Sequence, residues 1–163
     1  MPHPDLAPDD LGVFSQALVD YFHTATGQAA RVCAAYPLAT GAERLWNDFN
    51  GLITLSGGWR GTVCFCAPRA MLAQVLHLAG VPDHGDERHS DIVGEIACLL
   101  SGRARRHFGE SLDVSVPAAY HRWAGAPVAL LRGDACRSLA VPLEWNGHRA
   151  DLVIQLERGG ATA

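Results

Sequence analysis

The spacing of apolar and polar residues changes several times along the chain, and each change marks an element. From Asp9 to Thr26, the residues Leu11, Phe14, Leu18, Tyr21 and Phe22 recur at helical spacing; Asp9 or Asp10 is the expected cap and Thr26-Gly27 the stop. AARVCAAYPL then reads as a strand, followed by a polar loop around Gly41. GLITLSG and WRGTVCFCAP, joined at Gly57-Gly58, predict a hairpin. A second helix is expected from Pro68 to Gly80, with Met71, Leu72, Val75 and Leu78 on its apolar side. After the long helix described next, SLDVSVPAAY alternates as a strand, and a Gly- and Arg-rich excursion holds a short strand at Val128–Leu131. SLAVPLEW and RADLVIQLE flank Asn146-Gly147, the strongest hairpin signal in the chain.

The organising stretch is DIVGEIACLLSGRARRHFG, Asp91 to Gly109, with Ser90 as the expected cap. At about 100° per residue, Ile92, Val93, Ile96, Leu99, Leu100, Ala104 and Phe108 share one broad arc suited to a core. Asp91, Glu95, Cys98 and Gly102 form a narrow opposite stripe, flanked by Arg105 and Arg106. Charged residues opposite an apolar face are ordinarily the wet side of an amphipathic helix. A mid-helix glycine, however, costs about 0.5–1 kcal/mol relative to alanine, and its presence suggests a need for accessible backbone.

The elements run α-β-β-β-α-α-β-β-β. Gly27 and Gly109 each close a helix and are followed five residues later by Val32 and Val114, an echo that suggests an internal duplication. The expected fold is α+β, an antiparallel sheet with packed helices, in a single domain over 9–158. Residues 1–8 are expected to be a flexible N-terminus and 159–163 a flexible tail.

Composition narrows the functional classes. A hydrophobic content of 48% with 18% charged residues belongs to a globular rather than a disordered chain. Thirteen basic residues against seventeen acidic ones, clustered only at Arg103–Arg106, argue against a nucleic-acid footprint. No apolar run reaches the roughly 18–20 residues that span a bilayer, and MPHPDLAPDD lacks a signal-peptide pattern, so no membrane association and a cytoplasmic setting are expected. Five cysteines (33, 64, 66, 98, 136) suit thiols better than a disulfide framework. Cys64 and Cys66 would share a strand face, a start toward a metal site that nothing nearby completes. His84, Asp86, Glu87, His89 and Asp91 crowd one connector, which reads more simply as a solvated loop than as a metal site. Trp59, Trp123 and Trp145 read as packing aromatics. No phosphate loop, nucleophile elbow or His-Glu-x-x-His is present.

Asp91-x-x-x-Glu95-x-x-Cys98, continued by Leu-Leu-Ser-Gly102-Arg-Ala, resembles the signature helix of the CheC/CheX/FliY family of chemotaxis phosphatases: Asp or Ser, three residues, Glu, two residues, Asn, an apolar pair and a glycine. GWRGTVCF before the second helix and a strand ending at Pro117 agree, and the likeness extends over about residues 10 to 158. The first helix has no Glu-x-x-Asn, so the chain looks like the single-site CheX branch. The resemblance implies a phosphatase that docks this helix on a phosphorylated response-regulator receiver domain of the CheY kind. In that picture Glu95 pairs with the partner's active-site lysine, the residue at 98 orients a water for in-line attack on the aspartyl phosphate, and Asp91, Gly102, Arg105 and Arg106 contribute to partner binding. The family needs no cofactor or metal of its own, the partner supplying magnesium, and its members often form homodimers. Cys98 stands where the family has asparagine. A thiol is a weak donor and weaker acceptor than a carboxamide, so water positioning is expected to suffer. Two alternatives follow: a catalytically impaired binding module for a receiver domain or other signalling partner, or a structural or oligomerisation domain. Covalent thiolate chemistry is disfavoured, because Cys98 lies well inside a helix and away from a phosphate-cradling loop.

Overall fold

A computed structural model describes residues 6–38, 47–109, 111–121 and 138–158. Among these, the order is α1 (Pro8–Thr26), β1 (Arg31–Val32), β2 (Tyr36–Pro37), β3 (Phe49–Gly57), β4 (Trp59–Ala67), α2 (Arg69–Leu78), α3 (Asp86–Phe108), β5 (Leu112–Val114), β6 (Ala118–His121), β7 (Leu139–Trp145) and β8 (His148–Arg158). The expected loop at Gly41, the strand at Val128–Leu131, Trp123, Cys136 and the 159–163 tail lie outside the described residues.

One antiparallel sheet holds all of these strands, in the order β1-β7-β8-β4-β3-β5, with β2 also on β7 and β6 also on β3. The hairpins β3–β4 and β7–β8 meet along β4 and β8, registered from Trp59 opposite Arg158 to Cys66 opposite Asp151. The short strands β1 and β2 border β7, and β5 and β6 border β3. Each half therefore lends its leading strands to the hairpin of the other, the arrangement a duplicated helix-plus-strands unit produces. Asn146 (φ 51°) and Gly147 (φ 81°) turn the β7–β8 hairpin in the left-handed conformations that Asn-Gly supplies.

The helices cover one sheet face. Phe14, Leu18 and Phe22 of α1, Met71, Leu72 and Val75 of α2, and Ile92, Val93, Ile96 and Leu100 of α3 bury against Ile53, Leu55, Val63, Phe65, Leu152 and Ile154. Leu99 and Phe108 are partly buried at its border. On the opposite face a smaller cluster joins Leu52, Cys64 and Cys66 with Tyr120 and Val153. Gly51 sets how closely α3 approaches β3: a Cβ there would meet the Val93 carbonyl oxygen at 2.2 Å.

Several boundaries differ from the sequence expectation. The long helix begins at Asp86, five residues before Asp91, with Gly85 rather than Ser90 at its cap. Polar residues of the connector thus become its first turn, where Asp86 and Glu87 suit the dipole. Helix α1 begins at Pro8 with Ala7 at the cap, and Asp10 acts from inside the turn by accepting the Ala7 N–H at 2.8 Å. Leu6, just before the helix, is buried. The stretch 29–38 is two short strands rather than one, and 111–120 is likewise divided, with Pro117 in the gap. In α2, Leu76 takes the buried place and Leu78, at the helix end, is exposed.

Candidate functional site

Helix α3 carries its core-facing arc and its outer ridge on one straight scaffold. Asp91, Glu95, Cys98 and Gly102 are all exposed, and successive steps of four, three and four residues keep them within a narrow arc about 16 Å long. Arg105 and Arg106, both exposed, sit to either side at the C-terminal end, where cations also suit the dipole. A Cβ on Gly102 would meet nothing within 4 Å, so the backbone there is open, as the glycine's helical cost suggests.

The neighbours of the ridge differ along its length. Arg88, one turn before Asp91, reaches the Asp91 carboxylate at 3.5 Å and Asp83 at 3.4 Å. Glu95 accepts a hydrogen bond from the Tyr21 hydroxyl of α1 at 3.4 Å. Burial raises the Tyr21 phenol above its ordinary range, and the Glu95 carboxylate adds to the effect. Cys98 is an exposed free thiol. Arg105 donates to the Val114 carbonyl at 3.3 Å. Arg106 borders a groove of about 630 Å³ between α1 and α3, lined also by Asp9, Gly12 and Gln16. Lower on the same seam, Arg103 pairs with Asp20 at 2.7 Å and holds its carboxyl below the usual range, and His107 meets Asp10 at 2.7 Å.

Asp91, Glu95, Cys98 and Gly102, with Arg105 and Arg106 beside them, therefore all lie on the exposed side of α3. Tyr21 and Arg88, which touch the two ridge carboxylates, were not singled out. Tyr21 lies at core spacing in the first helix, and only its hydroxyl, at the border of the apolar arc, hints at a second partner.

Other constellations disperse. Asp86 pairs with Arg69, His84 Nε2 lies 2.9 Å from the Val81 carbonyl, and His89 is buried with Nδ1 2.8 Å from the Gly85 carbonyl oxygen, stacked on Phe49. Cys64 and Cys66 do share a face, with sulfurs 3.5 Å apart in the small cluster, and the contact with Cys64 together with burial pushes the Cys66 thiol up. Among the described residues, no three of His, Cys, Asp and Glu converge as a metal site, and no helix is long and apolar enough to cross a membrane. Trp59 and Trp145 are buried packing residues.

What the ridge presents is two carboxylates, a thiol, bare backbone and two guanidinium groups. Such a surface can engage another protein's charged site.

Known proteins resemble this chain in sequence family and in fold. Residues 49–141 match the family described as chemotaxis phosphatase CheX. A CheC-like superfamily protein from a Shewanella species, strain PV-4, superposes with a TM-score of 0.74 at 18% identity, over 93% of this chain and 99% of that one. Chemotaxis protein CheX from Vibrio vulnificus gives 0.69 at 19% identity, over 90% and 98%. A CheX–CheY–BeF3–Mg complex from Borrelia burgdorferi gives 0.65 at 13% identity, over 91% and 97%. No curated protein sequence matches the chain.

Proposed function

Since the chain belongs to the CheX family of chemotaxis phosphatases, we propose that its α3 ridge docks on the phosphorylated receiver domain of a response regulator. The observation that carries this reading is the joint exposure of Asp91, Glu95, Cys98 and Gly102 on one helical face. In the proposed complex Glu95 pairs with the receiver's active-site lysine. Cys98 faces the aspartyl phosphate, while Arg105 and Arg106 meet acidic surface farther along. The Borrelia complex, which contains CheX, CheY and magnesium, supports a receiver domain as the kind of partner. In this reading magnesium comes with the partner, as the family resemblance implies.

Hydrolysis in such a complex depends on positioning: one side chain aligns a water while the partner stabilises the transferring group. A carboxamide at position 98 would offer two donors and an acceptor at the end of a longer side chain. The thiol offers a weak donor closer to the helix. We therefore infer a receiver-binding member of the family whose phosphatase activity is slow. Phosphate release from a phosphorylated receiver domain tests this. Cys98→Asn is expected to raise the rate by roughly 10²-fold, the scale that misplacing a reacting group costs, and Glu95→Ala to remove whatever activity exists. A native chain that already releases phosphate as fast as Cys98→Asn would contradict the slow-phosphatase reading. A cytoplasmic setting and a homodimer belong to the same proposal; native mass measurement reads the second.

A further inference from the structure

We propose that Tyr21 is a positioning residue for Glu95, its hydroxyl donating to Glu95 Oε2 across the seam between α1 and α3 and holding the carboxylate ready for a partner's cation. This rests on the docking reading above and adds to it a residue outside the signature helix.

A glutamate on an open ridge ordinarily samples several rotamers, and fixing it on docking costs side-chain entropy. Glu95 differs from Asp91 in what limits that freedom. Asp91 is met by Arg88, an exposed side chain of its own helix that also reaches Asp83. Glu95 is met by a side chain from another element. The Tyr21 ring packs against the core and edge-on to Phe22, with centroids 5.7 Å apart and planes at 89°. That packing fixes where the hydroxyl points. The helix carrying it is itself tied to α3 by Asp20–Arg103 and Asp10–His107, each at 2.7 Å. The donor is thus rigid while its acceptor is exposed, the combination that preorganises a recognition group. At 3.4 Å the bond is long for O–H···O, as bonds in functional sites often are before a partner arrives. With Oε2 accepting from the hydroxyl, the other oxygen of the Glu95 carboxylate can accept from a cation.

Two measurements test this. The first follows the ring carbon that bears the Tyr21 hydroxyl by NMR at neutral pH in the native chain and in Glu95→Ala. Removing the carboxylate is expected to shift that resonance by removing the acceptor of the hydroxyl; an unchanged resonance overturns the contact. The second measures affinity for a beryllofluoride-loaded receiver domain in the native chain, Tyr21→Phe, Glu95→Ala and the double variant. Tyr21→Phe is expected to weaken binding by roughly 3- to 10-fold, the range one net hydrogen bond gives, and to have no effect once Glu95 is alanine. An equal loss in both backgrounds would mean that Tyr21 acts only through packing, and would overturn the inference. A native chain that binds no receiver domain overturns the docking reading; native binding that Tyr21→Phe leaves intact overturns this inference alone.

Discussion

Cys98 and the pair Cys64 and Cys66 show how one residue type takes opposite roles through position. Cys98 is exposed on the ridge more than three turns into α3, beyond most of the help a helix N-terminus gives a thiolate. It is accessible to solvent. Cys64 and Cys66 are enclosed beneath the opposite sheet face, and the Cys66 thiol is pushed up by its neighbour and by burial. An alkylating reagent at neutral pH is therefore expected to modify Cys98 in the folded chain and to reach Cys64 and Cys66 only on unfolding. Peptide mapping by mass spectrometry after a short pulse checks this, and equal labelling of Cys98 and Cys66 would contradict it. The same exposure explains why Cys98→Asn is a clean substitution: the larger side chain enters open space, so its effect reports on chemistry rather than folding.

At the scale of elements, the placement of the ridge depends on how α3 lies on β3. The helix carbonyl at Val93 occupies the space where a side chain on residue 51 would be, which makes glycine there a packing requirement. Gly51→Ala is expected to lift α3 and cost about 1–3 kcal/mol, the usual range for overpacking. Urea denaturation should show a lower midpoint, and an unchanged midpoint would mean that α3 adjusts without cost. The apolar side of α3 was legible from its period alone, because Ile92, Val93, Ile96 and Leu100 repeat as one arc and all are buried. The start of α3 was not, since Asp86 to Ser90 are polar and carry no period; the helix extends over them because Gly85 caps it and Arg69 pairs with Asp86. Residues 29–38 read as one strand because Val32 and Tyr36 suit a ladder and no glycine interrupts the run. They pair with β7 in two short ladders, at 31–32 and 36–37, a long-range outcome that local composition does not encode.

For the whole molecule, the two hairpins were legible because Asn146-Gly147 and Gly57-Gly58 are local signals, and both turn where expected. The exchange of short strands between halves was not, since it joins residues far apart in the chain, as Gly57 and Leu112 or Arg31 and Glu144 are. The site divides the same way. Its ridge is a single-helix property, written in steps of three and four residues, whereas Tyr21 reaches Glu95 across 74 positions and becomes visible only when α1 and α3 pack. The register that sets Gly27 against Gly109 places Val13 where Glu95 stands, so α1 has no counterpart of Glu95. The most direct test of the account is to add a beryllofluoride-loaded receiver domain to isotopically labelled protein and map the amide resonances that shift. The account predicts that the shifts concentrate at Asp91, Glu95, Cys98 and Gly102 and largely vanish in Glu95→Ala. Shifts centred on the Asn146-Gly147 turn, or none with any receiver domain of the host, would contradict it.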